Sequence, residues 1–246
     1  PVRRVLALSR SVSSASTADS APLSSLANRF DWALSFGKYD GQRTYNGVAI
    51  VAREPIEDVS RSMNDGVEDD HSRLISGRVF GTRFLCTYFP NGGAVDSDKY
   101  VYKRAWMERL RTYLDTHHSP DEDLILTGDF NVAPFADDIE RSDEYEGSVL
   151  ANDEIRGKLE HIRAFGLKDA FRPFHPSGQV YTWWDYRGMG FERNNGMRID
   201  HFYVTASVAK RVIGAAVDRD ERHGKGASDH APVLLEVDRD SSNAAG

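Results

Sequence analysis

The chain has 246 residues, 40% hydrophobic and 11% aromatic, enough to bury a core in one large α/β unit or two small ones. No apolar run approaches the roughly 20 residues of a membrane span. A net charge of −7 argues against a protein held on nucleic acid by overall charge, though a local basic groove can coexist with a carboxylate cluster.

The opening "PVRRVLALSRS" starts at Pro1 and reads as a fragment or processed start, with too short an apolar core for a signal peptide. Residues 1–30 are expected to be divergent or poorly ordered, because Ser9 to Ser25 is dominated by Ser, Ala and Thr and buries little. Strand composition returns at Asn46–Glu54, "NGVAIVARE". The acidic run "EDVSRSMNDGVEDD" reads as a solvated loop. "RFLCTYFPNGG", Arg83 to Gly93, is a strand stopped by Pro and Gly. Its Cys86, the lone cysteine, cannot form an intrachain disulfide; it reads as a small core residue and fits a cytoplasmic location.

Apolar residues then recur at Tyr102, Trp106, Leu110, Tyr113 and Leu114, the spacing of an amphipathic helix. "LILTGDFNVAP" follows as a strand from Leu124 that ends in polar groups. Ile155, Leu159 and Ile162 mark a second helix, with Asn152 or Asp153 as its N-cap. "YTWWDYR", "RIDHFYVTA" and "APVLLEV" are further strands, and residues 239–246 a frayed tail. Strands mixed with helices, without strict alternation, favour a layered α/β sandwich over a doubly wound parallel sheet. No repeat, linker or Gly-rich phosphate loop interrupts what reads as one domain over residues 1–246.

Four stretches share one design, an apolar strand ending in polar residues: "CTYFPNG" with Tyr88 and Asn91, "LTGDFN" with Asp129 and Asn131, "GMRIDHF" with Asp200, and "ASDHAPV" with Asp229 and His230. Singly, each Asp reads as a turn former or cap. Together they suit phosphodiester hydrolysis. Carboxylates bind a hard cation and can take a proton from water, while an amide and an imidazolium can donate to phosphate oxygens.

"LTGDFNVAP", "YTWWDYRGMGFERNNGMRIDHFYV" and "SDHAPV" resemble the exonuclease III family of apurinic/apyrimidinic endonucleases, within the endonuclease/exonuclease/phosphatase superfamily. The resemblance runs from about Tyr45 to Val237. It implies a four-layer α/β/β/α sandwich of the deoxyribonuclease I-like type, and a Mg2+-dependent (or Mn2+-dependent) nuclease acting on double-stranded DNA at abasic sites and 3′ ends as a monomer. By position, Asp129 matches the acid/base residue for the attacking water and Asn131 its partner, a transition-state hydrogen-bond donor. Tyr88 matches the active-site tyrosine, His230 the phosphate-binding histidine and Asp200 its orienting carboxylate. Asp129, Asn131 and Asp229 fall at the metal. Trp183, Trp184 and Met197 match the apolar pocket for the base-less sugar, with core packing the competing reading for the tryptophans. Asn91, Arg187, Arg193 and Arg198 are candidate DNA contacts, and Lys99, Lys103 and Arg104 form a candidate basic edge on the first helix.

The pattern departs from the family at its start. The usual first strand is missing. In the second, near Val5 to Ser11, Arg10 stands where the family carries its principal metal-binding Glu. A cation there repels Mg2+. Either this N-terminal segment is not that of the physiological enzyme, or the chain is a degenerate relative. On both readings the chain as written is expected to bind metal weakly and cleave slowly.

Overall fold

The computed structural model describes residues 3–6, 8–9, 36–42, 46–224 and 226–238. Arg10, the Ser-rich stretch and the tail after Asp238 lie outside them. Six strands make the larger sheet: β5 (Glu57–Ser60), β6 (Leu74–Val79), β7 (Thr82–Tyr88), β8 (Leu124–Asp129), β12 (Asp200–Val204) and β9 (Lys168–Asp169), in that spatial order. β6 and β7 form a hairpin, and its two turn residues, Phe80 and Gly81, both take positive φ, as a two-residue primed turn requires. β7 and β8 are parallel, so a crossover must join them. The 20-residue helix α1 (Asp98–His117) supplies it, opened by Ser97, whose side chain caps the Tyr100 N–H.

Period-two alternation decides what each strand faces. Leu85, Leu124, Leu126 and Tyr203 point to α1 and to α2 (Asp153–Arg163), where Trp106, Leu110, Leu114, Ile155, Leu159 and Ile162 cover them. Phe84, Cys86, Ile125, Phe202 and Val204 point the other way. They pack against Val48 and Ile50 of β4 (Gly47–Ala52) and Val233 and Leu235 of β14 (Val233–Val237). β14 lies between β1 (Arg3–Leu6) and β13 (Val212–Val217), and β4 lies between β2 (Leu8–Ser9) and β3 (Phe36–Gly41). β1 and β2 are one residue apart, so the opening segment bridges the two halves of this second layer. Helices, sheet and second sheet stack as the layered α/β sandwich that was expected.

The expected strands and helices are present, with Asn152 capping α2. "YTWWDYR" shrinks to a two-residue strand β10 (Trp183–Trp184), paired with β11 (Gly196–Met197). The acidic run is not a plain solvated loop: it holds β5 and the buried Met63, and Arg109 of α1 binds both Asp65 and Asp69. Two carboxylates meeting one guanidinium explain why so charged a segment folds back on the helix. No helix among the described residues is long and apolar enough to cross a membrane.

Candidate active site

Register places the polar strand ends in one row. Tyr88 of β7 lies opposite Asp129 of β8, and Asp129 lies opposite Asp200 of β12. Asp129 follows Ile125 and Thr127 at the strand period, so it faces the gap between the two sheets. Asp229 and His230 reach that gap from the other sheet, in the segment before β14. A backbone bridge from Trp183 to His230, and a Trp184 N–H to Asp229 carbonyl bond of 3.0 Å, fix them there.

Two backbone features bend the chain into this geometry. Gly128 has φ 133°, and a Cβ on it would stand 1.9 Å from the Thr87 carbonyl oxygen, so only glycine fits. Asn131 takes φ 48°, and Asp129 holds it there. The Asp129 carboxylate accepts the Asn131 backbone N–H at 2.8 Å and its side-chain Nδ2 at 3.0 Å.

His230 completes the cluster. Its Nδ1 lies 2.9 Å from Asp200 Oδ2, and its Nε2 lies 3.9 Å from Asp129 Oδ2. Burial works against charge on this imidazole, but the Asp200 carboxylate and its hydrogen bond outweigh it, and the basicity of His230 is raised. Burial likewise lifts the Asp129 carboxyl well above the usual carboxylate range, against the pull of His230. Tyr88, within the field of Asp129 and Asp229, is pushed up to about 12, chiefly by burial, and stays a neutral phenol. Asp229 accepts the Trp183 indole N–H at 3.0 Å, leaving its second oxygen uncommitted to that bond. Chemically, Asp129 can accept a proton from water, and a protonated His230 can donate to an anion in the gap.

The model of the endonuclease/exonuclease/phosphatase family matches residues 11–230. The chain belongs to that family. Exodeoxyribonuclease III of Haemophilus influenzae is 30% identical over 210 residues, covering 80% of this chain and 79% of its own. A Neisseria 3′ phosphatase bound to a product DNA hairpin superposes with a TM-score of 0.80 at 35% identity, over 89% of this chain and 84% of its own. An apurinic/apyrimidinic endonuclease from Archaeoglobus fulgidus gives 0.79 at 34% identity, over 82% and 79%. These likenesses put the chain in the exodeoxyribonuclease III branch, with its deoxyribonuclease I-like fold and its metal-dependent phosphodiesterase chemistry.

The branch works with a divalent metal, and the donor chemistry here is only part of what one needs. Asp129 and Asp229 offer the hard oxygens that such a cation takes. Among the described residues, however, no three Asp, Glu, His or Cys side chains converge as a cage. Asn131 is not free to be a ligand: Asn91 donates to its Oδ1 at 3.0 Å, and its Nδ2 serves Asp129 and the Phe89 carbonyl. Asn131 thus aligns the acid, and the exposed Asn91 in turn orients Asn131.

The apolar and basic expectations need correcting. Trp183 and Met197 face each other across β10 and β11 and share a cluster with Ala133, Ile139 and Ile199. Trp184, on the opposite strand face, is fully buried with Tyr181, Ala231 and Phe191, so it is core and no part of a pocket with Trp183. Arg198 is no DNA contact. It is 1% exposed and bonded to Asp138 at 2.7 Å and Asp169 at 2.9 Å, because one strand step from Met197 turns it into the interior. Arg187 and Arg193 are exposed on the loop between β10 and β11, Arg187 within 3.9 Å of the Asp185 carboxylate.

Lys103 leaves the basic edge for the inside. Its buried ammonium donates to the carbonyls of Val149 (2.6 Å), Asn131 (2.7 Å) and Asn91 (3.2 Å). Burial pushes it down to about 7, against the attraction of Asp129. The signal was available: Lys103 falls on the stripe of Tyr100, Met107, Leu110 and Leu114, where solvated lysines do not belong. Thr182 had no such signal. Its buried Oγ1 accepts the backbone N–H of Ile199 and of Asp200, both at 3.1 Å, and so sets the start of β12.

Proposed function

We propose that the chain is a Mg2+-dependent DNA repair nuclease that cuts 5′ to abasic sites and removes nucleotides from 3′ ends, as a monomer in the cytoplasm. The observation that carries this reading is the meeting of Asp129, Asp200, Asp229 and His230 at one end of the gap between the sheets. In this reading Asp129 takes the proton of the attacking water. Its raised basicity suits a base working near neutral pH. Asp200 keeps His230 protonated and turned to a non-bridging phosphate oxygen, and neutral Tyr88 donates beside it. Asn131 holds Asp129 in place. Trp183, half-buried over the buried Met197, is the apolar contact for a base-less sugar, in a space that a normal nucleotide would overfill. Mg2+, which Asp129 and Asp229 would hold, would offset charge on the phosphate and the leaving oxygen.

The Neisseria relative named a 3′ phosphatase favours a companion reading, removal of 3′-phosphates by the same water attack. Hydrolysis rates on an abasic duplex, a 3′-phosphoryl primer and an inositol phosphate test the proposal. The first two should react and the third should not; the reverse order overturns it. Arg10→Glu should tighten Mg2+ binding in calorimetry and raise the rate, since it restores the carboxylate expected at that position of the sequence. A metal-free DNA-binding remnant would gain nothing from that change.

A further inference from the structure

Asp229 and His230 precede β14, and β10 holds them in place. Two backbone bonds flank the Trp183–His230 bridge: the Trp184 N–H donates to the Asp229 carbonyl at 3.0 Å, and the Ala231 N–H to the Thr182 carbonyl at 2.8 Å. By this register Trp184 stands opposite Asp229. In a complete antiparallel pair the Trp184 carbonyl would take a return bond from the facing backbone N–H. Here it accepts Nη2 of Arg222 at 3.3 Å. A side chain from the turn Arg219–Arg222 thus fills the last rung of the ladder, at the residue that carries the carboxylate.

Arg222 is fitted to that place. It is buried, and its guanidinium carbon lies 4.9 Å from the Tyr186 ring centroid and 5.2 Å from that of Phe191. Both rings belong to the β10–β11 loop. Phe191 packs edge-on against Trp184, and the Tyr186 hydroxyl donates to the Ala227 carbonyl at 2.7 Å, two residues before Asp229. The equally buried Arg198 is held by two carboxylates, whereas Arg222 has none in salt-bridge contact among the described residues. Ring faces and one carbonyl orient it instead. A planar guanidinium gains from such stacking what a flexible ammonium does not.

We propose that Arg222 is a positioning residue for Asp229. By closing the pairing of Trp184 with Asp229, and by tying the β10–β11 loop to the turn before Asp229, it keeps that carboxylate against the Trp183 indole, 3.0 Å away. The consequence for a cation rests on the nuclease reading above: the same carboxylate would meet the metal at a fixed place, and metal affinity would follow its alignment.

The Trp183 indole N–H reports this geometry in the metal-free protein. Its proton–nitrogen correlation signal is identified by its loss in Trp183→Phe, and its exchange with solvent is compared in the wild type, Arg222→Met and Arg222→Lys. Arg222→Met should shift the signal and speed its exchange on the order of tenfold, the worth of about one hydrogen bond. Arg222→Lys, which keeps a donor but not the stack, should fall between. The Trp106 signal, from α1, should stay where it is. If Arg222→Met folds poorly, Tyr186→Leu at its exposed position removes one face of the stack and should act in the same direction. In the Arg10→Glu background, free Mn2+ followed by electron paramagnetic resonance should show affinity weakened on the order of tenfold by Arg222→Met, with no further loss where Asp229→Ala is already present. An unmoved Trp183 signal, or a Mn2+ affinity that ignores Arg222→Met or falls equally without Asp229, overturns the inference while the nuclease reading stands. A moved Trp183 signal with no Mn2+ taken up by the Arg10→Glu protein overturns the nuclease reading and leaves Arg222 as the residue that positions Asp229.

Discussion

Two buried charge clusters flank Ile199 in the chain, and they are built to opposite ends. Arg198 joins Asp138, Asp169 and Arg172, two guanidiniums against two carboxylates in mutual contact. Asp200 joins His230, Asp129 and Asp229, three carboxylates around one imidazole. The first set is balanced, and Arg198 holds Asp169 below the usual carboxylate range in spite of burial. The second is over-supplied with negative charge, and Asp129 is displaced upward. Burial of charge alone does not mark a site; unbalanced burial does, because the missing positive charge is what a cation and a protonated phosphate site supply.

That contrast can be broken by removing one member from each cluster. In the Arg10→Glu background, Asp129→Asn should lower kcat on an abasic duplex by about 10³-fold, the order expected for a lost general base. Its melting temperature should hold or rise, since a desolvated carboxylate has gone. A large loss of stability instead would make Asp129 structural. Arg198→Met should do the reverse, costing about 3–5 kcal/mol in denaturant titration by stranding Asp169 while Asp138 keeps Arg172, with kcat per folded molecule retained.

Acid sharpens the comparison. His201 lies beside the balanced cluster, its Nε2 on the Val132 carbonyl at 2.9 Å, and burial, helped by Arg198, pushes it down to about 4 from 6.5. Between those values the unfolded chain binds the extra proton. The contribution of His201 is therefore complete above pH 6.5 and is lost as pH falls toward 4, about 3 kcal/mol in all. His201→Gln, which keeps a donor for Val132, should flatten that part of the stability curve in pH-dependent chemical denaturation. The smallest effect is expected from Trp183→Phe. It removes the indole donor to Asp229 and keeps the ring, and should weaken Mg2+ binding on the order of tenfold by calorimetry.

Much of this was legible in the sequence, for particular reasons. Strand ends carrying Asp129, Asp200, Asp229 and His230 are local patterns, and period-two alternation predicts their shared face once the strands are placed. Asn152 as a cap and the α1 stripe follow from spacing in the same way. Arg198 and Trp184 were misread because both sit in a motif beside candidate site residues, and the motif alone does not tell which of its side chains are buried. The backbone of Asn131 was not readable either: its left-handed conformation is held by the Asp129 carboxylate and depends on the turn the fold makes there. β6 and β13 escaped notice because Ser76, Gly77, Arg78, Gly214 and the alanines of β13 blur the apolar pattern, while tertiary pairing makes them strands.

The most direct measurement is the product of a duplex with a single abasic site, incubated in Mg2+ with the wild type and with Arg10→Glu. The account expects one incision 5′ to the base-less sugar, leaving a 3′-hydroxyl, slow in the wild type and faster in the variant. An intact strand with both proteins, or a cut leaving a 3′-phosphate, would contradict it.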